Sequence, residues 1–421
     1  MIDQYIVFGT LILALILFVW GFIRHDLVAL ICLIILVIFG ITDPMLAFTG
    51  FGHPAVITVI AVLIISKGFE NSGVVELIGG WIERVSDRFE VQLMITCFLV
   101  ALMSAFMNDV GALAIIMPMA IVIARRSGKP ASTILIPVAF SSLLGGMITL
   151  IGTPSNIIIA TFRNQASGNG FSLFDFTPVG GMLTALGVGF IALWGWRLVP
   201  EREVSRRTLK RYQKLGNEIR DQKEKRLKLI VTSTIFLLAV ILVVFGILPV
   251  QISFVMAAVI MIILNIISID DMYESIDWPV VVLLGAMIPV GMALETTGGA
   301  LTISQQLLKF SEIYPPWVLL SIIMMITMTL SGVMNNAATV VLMAPISIAI
   351  AKGLGVSIDP FLMAVAIGGS ASFLTPIGHQ SNTLVMGPGG YKFTDYLLLG
   401  IPMSILVLIV GVPVIMIFWP L

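Results

Sequence analysis

Charged side chains are scarce in this chain of 421 residues, of which only 11% are charged and 58% are hydrophobic. Ordinary soluble domains carry about a quarter charged residues. The deficit excludes an ordinary soluble globular protein and predicts an integral membrane protein. The formal net charge of zero gives no indication of partners, because the charged residues are unevenly placed along the chain.

Cysteine is also scarce, since the chain has only Cys32 and Cys97, each inside an apolar run. Neither has a second cysteine or a histidine nearby at ligand spacing, so we expect packing roles and neither a disulfide nor a metal site between them. The sequence shows no Ser/His pair, paired aspartates or HExxH arrangement on facing helices. We therefore expect no enzyme activity and no organic cofactor.

The first apolar segment, residues 5–23, lacks the marks of a secretory signal. It has no basic flank before it and no small-residue cleavage site after it, and a second apolar segment begins at Leu27. We predict that residues 5–23 form a transmembrane helix and not a signal peptide.

Apolar segments recur in two matching sets. Those able to cross the membrane lie near residues 5–23, 27–41, 55–70, 131–162 and 177–196, and again near 229–247, 251–267, 279–296, 360–386 and 397–419. Between the third and fourth segment of each set lies a longer run, residues 91–124 and 317–351, with a polar pair at its middle. A membrane span needs about 20 apolar residues. Each longer run therefore predicts a re-entrant helical hairpin with a buried polar tip.

The two sets also match residue by residue. Asn108 and Asn335 lie 227 positions apart, as do Pro118 and Pro345, and such a steady offset predicts a duplicated fold. Five crossings in each half is an odd number, so the second half must enter from the opposite face. We predict an all-α polytopic membrane protein of two inverted-topology repeats, each with five transmembrane helices, one of them broken, and a hairpin. The first repeat is residues 1–200, the connector 201–228 and the second repeat 229–421.

The basic residues predict the orientation of these repeats. With the N-terminus outside, 19 of the 23 basic residues fall on the cytoplasmic side, including the 12 between residues 197 and 228. The positive-inside rule favours this arrangement. We therefore expect both termini outside the inner (plasma) membrane, the connector in the cytoplasm, and membrane lipid around the helices.

The breaks in the apolar segments predict where ions bind. At Gly152, Thr153 and Pro154, and again at Gly378, the chain can leave the helix, so that free carbonyl oxygens become ligands for a hard cation such as Na⁺. The helix that restarts after each break directs its N–H groups to the same place, which favours an anion. A carboxamide such as that of Asn108 offers an oxygen to a cation and an NH₂ group to an anion.

With its two hairpins, two Gly-x-x-x-Asn breaks and matched halves, the chain resembles the divalent anion/sodium symporter family (the SLC13-type permeases) of the ion transporter superfamily. The resemblance covers essentially the whole chain. That family is similar to dimeric elevator transporters, in which hairpins and broken helices move as one body against a scaffold. The resemblance implies a homodimeric secondary transporter that couples sodium to the symport of a small anion such as sulfate or a dicarboxylate.

The resemblance also implies two sodium sites, one formed by Asn108 with the Gly152 loop and the other by Asn335 with the Gly378 loop. In the family a Ser-Asn-Thr triplet stands at each hairpin tip, and here the triplets fall on residues 107–109 and 334–336, where only the asparagine is kept. The residues expected to bind the substrate are Asn108, Asp109, Thr153, Pro154, Asn335, Asn336, Gln380 and Ser381.

Asp109 is the main departure from the family pattern. A carboxylate beside an anion site would repel the anion, so we expect it to be a direct cation ligand, to carry a coupling proton, or to cap the helix and pair elsewhere. The alternatives to sodium symport are a Na⁺/H⁺ antiporter, an arsenite-type exporter of the same superfamily or, from another class, an ion channel. We expect no nucleic-acid partner.

Overall fold

The structure is a computed structural model that describes residues 2–20, 22–72, 88–202, 222–299, 302 and 315–421. Throughout these residues the secondary structure is helical, with no strand, and the predicted all-α class is confirmed. The predicted connector falls largely on residues 203–221, which lie outside the described residues.

The first half contributes eight described α-helices and two short 3₁₀ turns, Thr49–Gly52 and Gly195–Leu198. The helices are α1 (Ile2–Trp20), α2 (His25–Ile38), α3 (Pro54–Asn71), α4 (Phe89–Ser104), α5 (Asp109–Arg126), α6 (Ser132–Gly146), α7 (Pro154–Ser167) and α8 (Thr177–Leu193). The second half contributes α9 (Gln222–Val244), α10 (Val250–Ile263), α11 (Ile269–Ser275), α12 (Trp278–Thr296), α13 (Pro316–Ser331), α14 (Asn336–Leu354), α15 (Ile358–Ser370), α16 (Gln380–Gly389) and α17 (Asp395–Phe418).

The helices of the two halves follow each other in the same order. Helices α5 and α14 begin 227 positions apart, at Asp109 and Asn336, and α7 and α16 begin 226 apart, at Pro154 and Gln380. Helices α4 and α5 pack against each other across a four-residue turn, and α13 and α14 do the same. The opposite directions of the two halves across the membrane, and the elevator motion, stay predictions.

Several helices have the length and apolarity of a membrane span. Among the described residues these are α1, α3, the apolar part of α9, α14 and α17, with the α11–α12 pair as a sixth if its 55° bend is counted within one span. Other apolar helices, such as α2 and α10 with 14 residues each, are shorter. These helices fit a multi-pass membrane protein, and the predicted number of crossings stays a prediction.

The broken helices occupy the centre of the molecule. Every residue of α6 is buried, as are the residues of α15 from Pro360 onward. Helix α6 packs on α4 and α5, and α15 packs on α13 and α14 of its own half. The second piece of each broken helix then packs on the other half, because α7 contacts α14 and α15 whereas α16 contacts α5 and α6.

Two polar contacts fasten these crossings, one at the start of α15 and one at the start of α6. In the first, Arg163 of α7 forms a two-bond ion pair with Asp359 at the start of α15, with N–O distances of 2.8 Å in both bonds. The guanidinium also stacks on Phe171, 4.5 Å from the ring centre. We call this contact the Arg163 latch.

In the second contact the Tyr391 hydroxyl donates to the Ser132 carbonyl oxygen and accepts from the Ile136 N–H at 3.1 Å. Beside it Arg202 forms a two-bond ion pair with Asp395, at 2.9 and 3.1 Å. Hydrogen bonding to that carboxylate raises the pKa of the Arg202 guanidinium. We call the Tyr391 contacts the Tyr391 latch. Together the two latches join the broken helices of both halves at their ends.

Candidate functional site

Four helices begin at one small cavity of about 40 Å³ between the halves. These are α5 and α14, which follow the hairpin tips, and α7 and α16, which follow the breaks. The cavity is lined by Asn108, Val110, Thr153, Pro154, Ser155, Asp277, Val280, Asn335, Asn336, Ala337, His379 and Gln380. A helix N-terminus presents unpaired N–H groups and the positive end of the helix dipole, so four of them around one cavity suit an anion.

The asparagines of the hairpin tips are the N-caps of α5 and α14. The Asn108 side-chain oxygen accepts from the Val110 N–H at 2.9 Å, and the Asn335 oxygen accepts from the Ala337 N–H at 2.9 Å. Their backbone angles are nearly the same, with φ −62° and ψ 137° against φ −63° and ψ 140°. Because the oxygens cap the helices, the NH₂ groups are the parts available to an anion.

The next residue in the first half, Asp109, points away from the cavity into a buried polar cluster. Its side chain is 3% exposed, its Oδ1 accepts from the Ser104 hydroxyl, and its backbone oxygen accepts from Ser142 Oγ at 3.1 Å. Gly146 makes room for the carboxylate, since a Cβ built there would lie 2.9 Å from Asp109 Cγ and closer still to Oδ1. Ser104, Asp109 and Gly146 are the first cluster.

The corresponding second cluster is Ser331, Asn336, Gly369 and Ser372. The Asn336 side-chain oxygen accepts from Ser331 Oγ at 2.8 Å and from Ser372 Oγ at 2.6 Å. The two hydroxyl oxygens are also 2.6 Å apart, and Ser331 Oγ contacts the Gly369 carbonyl oxygen. Two hydroxyl protons cannot serve all of these oxygen contacts. The close approach of hard oxygen atoms is the arrangement that a cation such as Na⁺ requires.

In each half an asparagine at the start of the second helical piece bonds across the break to the end of the first piece. Asn156 Nδ2 donates to the carbonyl oxygens of Gly146 and Thr149 at 3.2 and 2.8 Å. Asn382 Nδ2 donates to those of Ser372 and Thr375 at 2.7 and 3.0 Å. These bonds hold the broken segments in place without regular helix.

Close packing at the breaks requires glycine. A Cβ built on Gly152 would lie 2.5 Å from the Gly146 carbonyl oxygen, and one on Gly378 would lie 2.5 Å from the Ser331 carbonyl oxygen. These are backbone oxygens, so they cannot move aside as a flexible side chain would. The two glycines therefore let the breaks approach the clusters.

Buried polar atoms without a hydrogen-bond partner recur at equivalent places. In the part of the chain that the structure describes, these include the side-chain oxygens of Asn156 and Asn382, the hydroxyls of Ser155 and Ser381, and Asn336 Nδ2. Buried polar groups are nearly always paired. Four of these five atoms occur at equivalent positions of the two halves, so the duplication extends to the buried polar groups of the breaks.

His379 connects the halves. Its Nδ1 accepts from the Ser381 N–H at 3.1 Å, so the neutral ring carries its proton on Nε2. That nitrogen lies 3.5 Å from Asp109 Oδ2. The imidazole of the second half thus faces the carboxylate of the first, although it also lines the cavity.

The structure brings most of the sequence-predicted site residues to this cavity. Its lining includes Asn108, Thr153, Pro154, Asn335, Asn336 and Gln380. Asp109 and Ser381 are buried behind it, and Gly152 and Gly378 lie in the breaks. Sequence reasoning missed Ser104 and Ser331, although both stand five positions before the residue they contact. It also missed Ser372 and Asp277, for which no such regularity exists.

Two wider cavities adjoin the site. One, of about 460 Å³, is lined by Lys67, Glu70 and Glu274 among others, and the other, of about 360 Å³, by Arg24 and Asp26 among others. Both share the side chains of Asp277 and Gln380 with the small cavity. The site therefore adjoins two larger cavities that carry charged side chains.

Hairpins, broken helices and a polar cavity buried between two halves define a membrane transporter. The sequence model described as "citrate transporter" (CitMHS) matches residues 15–368 and 315–421. The chain belongs to this family of the ion transporter superfamily, and the expected resemblance is confirmed at that level. Its relatives are transporters, which also confirms the expectation of a protein that is not an enzyme.

Similar proteins include the uncharacterized transporter YfbS of Escherichia coli, 24% identical, with 98% of this chain and 99% of that protein covered. The alignment spans 602 positions, so that protein carries segments that this chain lacks. Sodium/sulfate cotransporter 2 of Chlamydomonas reinhardtii is 32% identical over 161 residues, 37% of this chain and 18% of that protein.

Two solved structures share the fold. The structure of Neisseria gonorrhoeae MtrF, from a class of antimetabolite efflux pumps, has a TM-score of 0.68 at 14% identity, and the match covers 89% of this chain and 83% of that one. The Alcanivorax borkumensis YdaH transporter has a TM-score of 0.59 at 16% identity, covering 91% and 90%.

Proposed function

We propose that this protein is a secondary active transporter that couples sodium to the symport of a small anion. The observation that carries the proposal is the pairing of an anion-suited cavity, ringed by four helix N-termini, with two oxygen clusters directly behind it. Cations in the clusters would add positive charge beside the cavity and strengthen anion binding, which is the energetic basis of coupled transport.

The second cluster is the clearer sodium site. Oxygens of Ser331, Asn336, Gly369 and Ser372 would hold the ion there, and the first cluster would hold another through Ser104 and Asp109. In this arrangement Asp109 is a direct cation ligand. The side-chain oxygens of Asp109 and Asn336 would bind sodium, in place of the Asn108 and Asn335 oxygens expected from the sequence. Gly152 and Gly378 would place the break carbonyls near the same ions.

The substrate is an anion of the citrate or sulfate type. Family membership supports a carboxylate, and the partly matching sodium/sulfate cotransporters support both sulfate and the coupling ion. Amide NH₂ groups and helix N–H groups bind carboxylates and sulfate alike. Transport would run inward across the inner membrane, in a homodimer working as an elevator with the connector in the cytoplasm.

The Asp109–His379 contact favours one alternative, proton coupling at the first cluster. An acid facing an imidazole can pass or hold a proton instead of binding Na⁺. In a Na⁺/H⁺ antiporter, a sodium gradient alone would drive proton movement without an anion. Proteoliposomes carrying a pH-sensitive dye distinguish the two, since symport requires the anion and antiport does not.

A thermal unfolding screen of the purified protein tests the proposal. Citrate, succinate and sulfate are each added in sodium and in potassium buffer of the same ionic strength. We expect at least one anion to raise the unfolding midpoint in sodium and to have little effect in potassium, because the anion binds the sodium-loaded site. Uptake of the same anion into proteoliposomes should then follow an inward sodium gradient. Equal stabilisation in both buffers would contradict sodium coupling.

A further inference from the structure

Asp277 lies between two consecutive helices, at a bend of the chain. It lies in the junction of α11 and α12, whose axes differ by 55°. Its side chain lines the small cavity and both wider cavities, as does that of Gln380. Any molecule that leaves the small cavity for either wider one therefore passes this carboxylate.

The charged groups near Asp277 are engaged with each other. Arg24 forms two bonds with Asp26, at 3.1 and 2.8 Å, and Lys67 pairs with Glu70 at 3.0 Å. Among the described residues no cation lies within ion-pair distance of Asp277. Asp277 Oδ1 accepts from the Val280 N–H at the start of α12, at 3.5 Å, and the carboxylate lines the cavity in which we place the substrate.

A carboxylate in this place disfavours a plain anion. The helix N-termini attract negative charge, whereas Asp277 repels it and can accept a hydrogen bond. The small cavity of about 40 Å³ has room for little more than an anionic group, so the rest of a larger substrate must extend past Asp277. A substrate satisfies both regions when its charged group faces the helices and a donor group faces the carboxylate.

We propose that Asp277 is a substrate-contacting residue that selects anions bearing a hydrogen-bond donor, such as a hydroxyl or a protonated amine, apart from the charged group. The proposal rests on the proposed function and defines its substrate class. Hydroxycarboxylates and amino acids fulfil the condition, whereas sulfate and unsubstituted dicarboxylates do not. The corresponding position of the first half is His53, 224 residues earlier, so the first half has no matching carboxylate at this position.

The test compares anions that differ by one hydroxyl. Malate with succinate, and citrate with tricarballylate, are bound to the purified full chain in saturating sodium, and dissociation constants are measured by calorimetry. We expect the wild-type protein to prefer the hydroxylated anion of at least one pair by about tenfold or more. In Asp277→Leu the preference should fall to within about threefold of unity, and the donor-free anion should bind more tightly than to wild type, because the repelling charge is gone.

Glu274→Gln is the matched control, because Glu274 lines the 460 Å³ cavity and not the small one. It should keep the wild-type preference. If Asp277→Leu does not fold, Asp277→Asn replaces it, and the tighter binding of the donor-free anion remains the expected result. The proposal is overturned if a folded Asp277 variant keeps the wild-type preference, if wild type does not discriminate within either pair, or if the variant loses only its sodium response. Failure of all four anions and of sulfate to bind wild type would instead overturn the proposed function, whereas binding of sulfate alone would overturn only this inference.

Discussion

The two clusters behind the cavity are built on the same plan with different charge. In the first half a carboxylate, Asp109, fills the space that Gly146 leaves open. In the second half a carboxamide, Asn336, bonds to the hydroxyl of Ser372, which occupies the place of Gly146 in the pattern of contacts made by Asn156 and Asn382. The exchange of two residues thus replaces an ionisable side chain with a neutral one.

The comparison shows how a duplicated site can give two different ion affinities. A cation in the first cluster would meet a full negative charge, worth several kcal/mol at contact even with an effective dielectric constant of about 20. In the second cluster it would meet only the dipoles of hydroxyl, amide and carbonyl groups. We therefore expect the first cluster to bind its cation more tightly, so that the second fills only at higher sodium concentrations.

The largest expected effect comes from giving the first half the serine of the second. In Gly146→Ser the new side chain clashes with the Asp109 carboxylate. The variant should lose transport, and its free energy of unfolding should fall by about 1–3 kcal/mol. Adding Asp109→Asn recreates the Ser372–Asn336 pair and should restore much of the stability. Thermal unfolding and anion uptake measure both effects.

Gly189→Ser is the control for that experiment, because a side chain at Gly189 meets open space. It should leave stability and uptake near those of wild type. If the double variant Gly146→Ser, Asp109→Asn is no more stable than Gly146→Ser alone, the two clusters are not structurally equivalent.

Removing only the charge should have the next largest effect. Asp109→Asn keeps the shape of the first cluster but loses the anionic ligand, and its apparent sodium affinity should fall about tenfold or more. Sodium-dependent uptake at constant pH measures this change. Unchanged sodium and pH dependence would remove Asp109 from the mechanism.

Loss of one hydroxyl from the neutral cluster should weaken sodium binding less. Ser372→Ala removes the hydroxyl oxygen that lies next to the Asn336 side chain. We expect the sodium concentration at half-maximal uptake to rise about threefold. Ser370→Ala is a matched control on the same segment, since the Ser370 hydroxyl is buried and unpaired in the described structure. Equal responses of the two variants would indicate a packing effect and not an ion ligand.

Loss of the Arg163 latch should have the smallest effect on sodium binding. Arg163→Met removes a partly buried two-bond ion pair and should destabilise the protein by about 1 kcal/mol. Its sodium affinity should stay near that of wild type, because the latch lies away from both clusters. Urea unfolding beside a sodium titration separates these quantities, and a large shift in sodium affinity would show that the clusters depend on the latch.

Much of the plan could be predicted from the sequence, because the duplication repeats local signals. The apolar runs, the matching asparagines and the glycines of the breaks predicted the helices and identified the cavity. The ligands themselves were harder to predict. Whether Asn108 or Asp109 faces the cluster depends on the backbone at the helix start, where one side chain caps and the next turns inward. Contacts such as Ser372 with Asn336 arise only when separate segments pack.

The Tyr391 latch has a consequence for the synthesis of the chain. The start of α6 is made early, but the hydroxyl that bonds Ile136 belongs to a residue 255 positions later. At ordinary rates of translation that interval lasts on the order of ten to fifty seconds. During this time the first half must stay in the bilayer with α6 unfastened, so its central helix acquires its final partner only when the chain is almost complete.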